Sequence, residues 1–249
     1  MKIKSITIFK ISSVFIFLLA FLCSAFTIQS NLSEAEKIID FIADPDTHQI
    51  QFYLKNDNGE FLKNLNTLRL HVESKQQKLI FAMNGGMYKK DNSPQGLYIE
   101  NHTTLSPLDT THGKGNFYMQ PNGVLYITDE NKAMVCSTTD FRIVKNIKYA
   151  TQSGPMLLHN GEVNTAFKQG SSNLNIRNGA GILPDGRILF AMSKKEINFY
   201  DFAMYFKNRG CRNALYLDGF VSRTYLPQKN WIQTDGDFGV MIGVTEASK

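Results

Sequence analysis

Four dipeptides that favour tight turns constrain the fold of this chain more than any other feature. They are Asn58-Gly59, Asn122-Gly123, Asn160-Gly161 and Asp185-Gly186. Asparagine, aspartate and glycine tolerate the positive φ that a two-residue hairpin needs. The segments around these turns are short, alternate in polarity and carry many β-branched residues. Short strands joined by hairpin turns predict a largely antiparallel sheet.

The polarity patterns predict nine strands and two helices. The strands are expected near residues 49–54, 78–83, 96–100, 123–128, 155–159, 180–183, 187–192, 212–217 and 238–244. One helix is expected from Glu196 to Arg209, with Ser193 or Asn198 as its N-cap and Gly210 as its end. Residues Ser33–Ala43 are expected to form a second, short helix. The predicted class is α+β: a mixed, largely antiparallel sheet with a few helices packed on it, in a single domain.

Composition identifies a globular chain that does not bind nucleic acid through bulk charge. Apolar residues make up 43% and charged residues 20%, which excludes a disordered chain, a coiled coil and a collagen-like polymer. The net charge is +5, but Lys2, Lys4 and Lys10 supply three of those charges in a first segment that contains no acid. Without that segment the chain is nearly neutral, so nucleic acid is not an expected partner.

The N-terminus has the layout of an export signal. Its lysines precede the apolar run Val14–Cys23 and the small residues Ser24 and Ala25, which predicts cleavage after Ala25. An uncleaved N-terminal anchor is the alternative. We expect a periplasmic or secreted protein with no membrane span in its mature form. Cys136 and Cys211 are then the mature thiols, joined in a disulfide or both free.

The first two segments with possible chemistry each begin at a predicted strand. Ile80–Tyr88 is an apolar strand that runs into Asn84-Gly85-Gly86, where backbone N–H groups could hold an anionic oxygen. In Thr151–Pro155, the side chains of Gln152 and Ser153 offer hydrogen bonds, with Gly154 beside them. The alternative for both is an ordinary turn or loop. Ser153 lacks the Gly-x-Ser-x-Gly context of a serine nucleophile.

The third and fourth segments supply opposite charges. Arg177 stands among small and polar residues just before a strand, and its planar guanidinium suits two oxygens of a phosphate. Asp218-Gly219 follows a strand, where a carboxylate can act as nucleophile, base or metal ligand, and Ser222 lies just beyond. A surface arginine and an Asx turn are the alternatives.

Histidines are sparse and do not predict a metal cage, since none stands four residues from another. The five are His48, His71, His102, His112 and His159. His112 lies in a loop with Lys114 and small residues, which suits contact with an anion, although a solvated loop is the simpler interpretation.

Taken together in this order, the four segments resemble the phosphodiester glycosidase family, and in particular its small exported bacterial branch. The blocks that carry the resemblance are Phe81–Tyr88, Thr151–Pro155, Ile176–Gly181 and Ala214–Gly219. The resemblance covers about residues 78–244. Together with the N-terminal export signal, the resemblance predicts a signal peptide at 1–25, a helix and strands at 26–77, and a phosphodiester glycosidase-like domain at 78–249 that forms one compact unit with 26–77.

The resemblance implies which residues line the site. They are Asn84, Gly85, Gly86, Gln152, Ser153, Gly154, Arg177, Asp218 and Gly219. We add Ser222 and His112 as candidate substrate contacts. The family commonly continues the last block with further glycines and a serine, whereas this chain has Phe220 and Val221. These larger residues would narrow the pocket or change the loop, so neither the sugar nor its phosphate-linked partner is specified.

The reaction expected is hydrolysis of a glycosyl phosphodiester, either a small molecule or a polymer, at the anomeric C–O bond. A phosphate is a good leaving group, so an Arg177 clamp could stabilise it without a proton donor, and Asp218 would suffice as the one carboxylate. No cofactor is expected, and a metal requirement stays open. One rival is a metal-dependent phosphodiesterase that uses Asp218, Asp109 and His112 as ligands. Another is a non-catalytic envelope module that binds glycans or phosphorylated polymers.

Overall fold

Strands that are distant in sequence pair side by side in this protein. The computed structural model describes residues 36–218 and 221–247. Its strands are β1 (Ile38–Ala43), β2 (Gln49–Tyr53), β3 (Gln77–Asn84), β4 (Tyr98–Glu100), β5 (Thr103–Ser106), β6 (Gly123–Thr128), β7 (Ala133–Ser137), β8 (Ile147–Ser153), β9 (Met156–His159), β10 (Glu162–Val163), β11 (Asn178–Ile182), β12 (Ile188–Ser193), β13 (Ala214–Asp218), β14 (Thr224–Leu226), β15 (Trp231–Ile232) and β16 (Met241–Ala247). Its α-helices are α1 (Leu65–Ser74) and α2 (Phe199–Asn208).

These strands form three sheets rather than the single sheet predicted. Sheet A has the order β1-β12-β11-β13-β9-β10, sheet B the order β15-β14-β3-β16-β2, and sheet C the order β5-β4-β8-β6-β7. The pairings of β11 with β12 and β13, of β3 with β14 and β16, and of β8 with β4 and β6 are antiparallel. The predicted antiparallel character is therefore confirmed, and the balance is more strongly β than the term α+β conveys.

The turn dipeptides act as predicted at three positions and differently at the fourth. Asn160 and Gly161 join β9 to β10 with φ of 54° and 88°, and Gly186 lies between β11 and β12 with φ of 88°. Gly59 also has positive φ, in a turn closed by the pairing of Lys55 with Phe61. Asn122-Gly123 was wrongly predicted as a hairpin, because Gly123 is the first residue of β6.

The main hydrophobic core draws side chains from all three sheets. Its members include Phe81 from sheet B, Leu215 and Leu217 from sheet A, and Leu125 from sheet C. Helix α1 covers sheet B through a second cluster that includes Leu65. The sequence analysis missed α1, although Asn64 caps it by accepting a hydrogen bond from the Thr67 N–H at 2.9 Å.

Helix α2 lies over one face of sheet A and was predicted with bounds that are correct to within three residues. The Oδ1 of Asn198 accepts from the Asp201 N–H at 2.8 Å, which is the predicted N-cap. The helix can approach the sheet because β11 has glycines facing it. A Cβ on Gly181 would lie 2.7 Å from the Phe206 ring. The C-terminal half of α2 is thereby packed closely against β11.

The helix predicted at Ser33–Ala43 is wrong from residue 38 onward, where β1 begins. Residues 33–35, like the signal peptide at 1–25, lie outside the described part. The segment is rich in β-branched isoleucine and becomes the outer strand of sheet A beside β12. Phe41 stacks on Phe81 with ring centroids 4.7 Å apart. Packing against a neighbouring sheet overrides the weak helical spacing.

From Ile39 onward the chain forms one compact unit. The proposed boundaries at residues 25 and 77 stay predictions. No helix within residues 36–218 and 221–247 is both long and apolar enough to cross a bilayer.

Candidate active site

A buried asparagine, Asn178, connects three of the four segments selected from the sequence. Asn178 is the first residue of β11, and its Nδ2 donates to the backbone oxygen of Asn84 at 2.8 Å and to the Asn84 Oδ1 at 3.0 Å. Its Oδ1 accepts from the backbone N–H of Asp218 at 2.8 Å. The end of β3, the start of β11 and the end of β13 are therefore held together by one side chain.

The second segment joins the same region through a buried serine. The Ser153 hydroxyl donates to the backbone oxygen of Leu217 at 2.7 Å. Beyond Asp218, the Ser222 hydroxyl donates to the Asp218 backbone oxygen at 2.7 Å, and the Arg223 N–H donates to the Asn84 Oδ1 at 2.9 Å. Gly219 lies outside the described residues. These bonds fix the chain on both sides of Asp218.

Two phenol groups that were not selected from the sequence are close enough to Asp218 for its charge to affect their pKa. Burial, together with the charges of Asp218 and Asp237, raises the pKa of Tyr88 to about 12. Burial also raises the pKa of Tyr216, with Asp218 contributing in the same direction and Arg177 opposing it. Both phenols therefore stay protonated at neutral pH and can donate hydrogen bonds near the Asp218 carboxylate. Tyr216 could have been selected from sequence, because it precedes Asp218 by two residues on the same strand face.

The structure corrects the predicted role of Arg177 as an open phosphate clamp. Its side chain is 0% exposed, and its guanidinium is 3.6 Å from the centre of the Phe199 ring. The Nε donates to the Ile197 backbone oxygen at 2.8 Å, and NH2 donates to the Asn173 backbone oxygen at 2.9 Å. NH1 donates to the Tyr216 hydroxyl at 3.3 Å. An arginine enclosed in this way supports Tyr216 rather than meeting a ligand in an open pocket.

Arg177 carries a charge that the described residues do not neutralise directly. All the hydrogen bonds given for its guanidinium go to neutral oxygens, and no carboxylate of residues 36–218 or 221–247 forms an ion pair with it. Burial lowers the pKa of Arg177, which Tyr216 partly offsets, but a guanidinium stays protonated in proteins. The region behind Tyr216 is therefore electropositive and favours an anion nearby.

Gln152 holds a loop in position, and its amide is not open to a ligand. Its Oε1 accepts from the N–H of Leu97 at 3.0 Å and of Asp109 at 2.9 Å, and its Nε2 donates to the Asp109 backbone oxygen at 2.6 Å. The loop that starts at Asp109 returns at Asn116, whose side chain bonds to Tyr216. Gln152 thus supports the site indirectly.

The glycines of the first two segments are required by packing. The Gly85 N–H, expected to be an anion donor, donates instead to the Val240 backbone oxygen at 2.8 Å. A Cβ there would lie 2.6 Å from the Ile242 side chain. A Cβ on Gly86 would lie 2.5 Å from the Thr151 hydroxyl, and one on Gly154 would lie 2.7 Å from the Phe117 backbone oxygen. These glycines let neighbouring segments approach closely.

One buried donor at the centre of the site has no partner. The Asn84 Nδ2 is buried and makes no hydrogen bond to any residue of 36–218 or 221–247, whereas the Oδ1 of the same amide accepts from Asn178 and Arg223. An unsatisfied amide of this kind costs about 1–3 kcal/mol. Native proteins seldom retain such a group without a functional reason, so Asn84 stays a candidate for substrate binding.

The remaining predicted groups do not form a metal site. His112 is exposed in the loop that begins at Asp109. Nowhere in the described ranges do three histidine, cysteine, aspartate or glutamate side chains lie together as potential metal ligands. The metal-dependent alternative required Asp218, Asp109 and His112 to converge, and the described geometry does not bring them together. Cys136 and Cys211 are both free thiols, so the structure does not join them in the disulfide that was one of the two predicted states.

Comparisons with known proteins are consistent with this arrangement. The family model described as phosphodiester glycosidase matches residues 77–245, which is more than half of the chain. The chain belongs to the phosphodiester glycosidase family. A curated relative, the uncharacterized protein YigE of Escherichia coli strain K12, is 37% identical over 187 residues, covering 75% of this chain and 73% of YigE. Membership makes the protein a hydrolase of this kind.

Solved structures share the fold at low sequence identity. The catalytic domain of zebrafish N-acetylglucosamine-1-phosphodiester alpha-N-acetylglucosaminidase, auto-inhibited by its pro-peptide, has a TM-score of 0.55 at 13% identity, covering 84% of this chain and 88% of that domain. A protein from Burkholderia pseudomallei K96243, described as exported, has a TM-score of 0.54 at 10% identity, covering 83% of this chain and 73% of that one. The resemblance in sequence to the family is thus matched by the fold.

Proposed function

We propose that this protein is an exported hydrolase that cleaves a glycosyl phosphodiester at the bond between the anomeric carbon and its oxygen. The observation that carries the proposal is the position of Asp218, the carboxylate at the end of β13. Its backbone is fixed by Asn178 and Ser222, and its charge acts on two protonated phenols, Tyr88 and Tyr216. A fixed carboxylate next to hydrogen-bond donors suits the stabilisation of charge during glycosidic cleavage.

In the proposed reaction, a water oxygen forms a bond to the anomeric carbon while the bond from that carbon to the phosphate oxygen breaks. The electron pair of the broken bond goes to the phosphate oxygen, which leaves as a phosphomonoester. Asp218 accepts the proton of the water and later returns it to solvent. Asp218 is therefore the proposed catalytic residue, since it touches the attacking water.

The departing phosphate gains negative charge, and the groups around Asp218 can stabilise it without supplying a proton. The Tyr216 hydroxyl accepts from Arg177 and is also contacted by the Asn116 side chain, and we propose that its own proton is donated to the phosphate. A hydroxyl that accepts from a buried cation is a stronger donor than the same hydroxyl without that cation. Arg177 is thus a positioning residue that acts through Tyr216. The unpartnered Asn84 Nδ2 is the proposed second donor for the substrate.

The test is turnover of a panel of sugar-1-phosphodiesters in oxygen-18 water. We expect the label in the free sugar, because the C–O bond breaks. Asp218→Asn should lower kcat by at least about a hundredfold. Asp185→Asn is the matched control, because Asp185 is an exposed aspartate at the opposite end of β11, and it should keep wild-type turnover. Label in the phosphate would refute the proposed bond, and tight binding without turnover would identify a glycan-binding module instead.

Export is proposed from the N-terminal lysines, the apolar run and Ala25, and it is supported by the description of the Burkholderia pseudomallei structure as an exported protein. Mass spectrometry of the protein expressed from its full gene should give an N-terminus at residue 26. A mature chain that still begins at Met1 would contradict cleavage.

A further inference from the structure

A polar cleft at the β2 edge of sheet B is lined by a second buried polar group that has no hydrogen bond among the described residues. The cleft has a volume of about 420 Å³, and its walls include Gln51, Tyr53, His71, Lys75, Glu100 and Tyr149. We call it the β2 cleft, because β2 is the outer strand of sheet B at this edge. This volume falls within the usual range for small-molecule sites.

The Tyr53 hydroxyl is the group that has no partner. Tyr53 is only 6% exposed, and its hydroxyl is buried without a hydrogen bond to any residue that the structure describes. Glu100 and Tyr149 are close enough that their charges add to the burial that raises the pKa of Tyr53. A buried hydroxyl without a partner destabilises the unbound protein. A ligand that hydrogen-bonds to it would remove that cost.

The acceptors around Tyr53 are more available than the cations. Glu100 accepts from the Tyr98 hydroxyl through Oε2 at 2.7 Å, and its other oxygen has no hydrogen bond among the described residues. Lys75 is paired with Asp57, and the Nζ of Lys55 lies 4.7 Å from the centre of the Phe61 ring. Because the cations are already engaged, the lining favours a neutral ligand that is rich in hydroxyl donors over an anion.

The β2 cleft continues into a second cleft along the same strand. That neighbour has a volume of about 500 Å³ and shares Gln51 and Tyr149 with the β2 cleft. The Gln77 Nε2 donates to the Gln49 Oε1 at 3.0 Å where the two meet. Together they form a polar groove along β2. An added peptide strand would need apolar side-chain pockets, and this lining is mainly polar.

The groove is separate from the candidate active site. Strands β16 and β3 lie between β2 and β14, the strand that follows the Asp218 loop. Tyr53 pairs with Met241, which pairs with Asn84, so two strand spacings, about 10 Å, separate Tyr53 from Asn84. Neither Asn84 nor Asp218 lines the two clefts.

We propose that the β2 cleft and its neighbour bind a neutral oligosaccharide chain, with the hydroxyl of Tyr53 and the carboxylate of Glu100 hydrogen-bonding to sugar hydroxyls. The groove is a non-catalytic glycan site on the same molecule. Such a site would keep the protein on a polysaccharide surface.

The test is saturation-transfer NMR and calorimetry on the mature full chain with maltotetraose, cellotetraose, tetra-N-acetylchitotetraose and mannotetraose at millimolar concentration. None of these probes carries a phosphodiester, so the result is independent of the reaction proposed above. We expect at least one to bind. Tyr53→Phe should weaken that binding about fivefold while leaving the midpoint of urea unfolding unchanged or higher, because it removes an unsatisfied hydroxyl.

Two further variants complete the test. Glu100→Gln should also weaken binding, whereas Tyr126→Phe should leave it unchanged, because the Tyr126 hydroxyl contacts Met134 on sheet C instead. Binding by none of the four probes would overturn the proposal. Binding that survives both Tyr53→Phe and Glu100→Gln would overturn it as well. Binding that only Asp218 variants weaken would also overturn it, because the sugar would then occupy the candidate active site.

Discussion

Replacing Asn178 with alanine should destabilise the protein by about 3 kcal/mol. The side chain is 0% exposed and makes three hydrogen bonds, to the Asn84 backbone oxygen, to the Asn84 Oδ1 and from the Asp218 N–H. The Asn84 Oδ1 keeps its bond from Arg223, so it loses little. The other two groups lose the bonds described here, and each buried group left in this way costs about 1–3 kcal/mol. Water that enters the space left by the side chain can partly replace these bonds, so the summed cost for the two groups stays near the lower end of its range.

A second substitution at the same position separates hydrogen bonding from volume. Asn178→Asp keeps an oxygen that can accept from the Asp218 N–H. It also replaces the donating Nδ2 with a second carboxylate oxygen, which lies against two oxygens of Asn84. Burial and the loss of donors raise the pKa of that introduced carboxyl in the folded state, so the protonated form fits and the charged form does not. Stability should therefore match wild type best below about pH 4, the unfolded pKa, and fall as the pH rises through the folded value.

The measurement is urea unfolding monitored by circular dichroism at several pH values, together with turnover of the best phosphodiester. Asn213→Ala is the control, because Asn213 also makes two hydrogen bonds but lies half-exposed at the other end of β13. It should cost about 1 kcal/mol and retain activity. If Asn178→Ala unfolds like wild type, or if Asn178→Asp is as stable at pH 7 as at pH 4, Asn178 does not hold the site together.

Three further predictions follow from individual contacts. Arg177→Lys should lower kcat at least about tenfold with little change in KM, because the compact ammonium of lysine cannot reach all four oxygens that the planar guanidinium contacts; unchanged kcat would exclude a role through Tyr216. Gly85→Ala should cost about 1–3 kcal/mol in urea unfolding, since its Cβ would lie 2.6 Å from Ile242; wild-type stability would show that the strand yields. Burial raises the pKa of Asp40, but the combined effect of Lys229, Tyr205 and Arg209 in lowering it is larger. The pKa of Asp40 is therefore below its usual value. The stability it contributes is present above about pH 4 and is lost as the pH falls through the folded pKa. Asp40→Asn should therefore destabilise at pH 7 but not at pH 2, and equal loss at both would contradict the ion pair.

Local patterns predicted the elements that carry their own signals. The Asn198 cap, the apolar spacing and Gly210 together identified α2, and the dipeptide Asn160-Gly161 identified the hairpin between β9 and β10. Helix α1 has a similar asparagine cap at Asn64. It was missed because β-branched Thr67 and Val72 weaken its helical propensity.

Local signals in the chain were enough to predict antiparallel strands, α2 and the four segments that resemble the family. Which polar groups of those segments stay accessible depends on how the three sheets pack. Asn178 and Asn84 are 94 residues apart, and Ser153 and Leu217 are 64 apart. Turn and cap signals act within a few residues, but burial and hydrogen-bond partners depend on residues brought together from distant strands. For that reason Arg177 and Gln152 were identifiable from the sequence, but their enclosure was not.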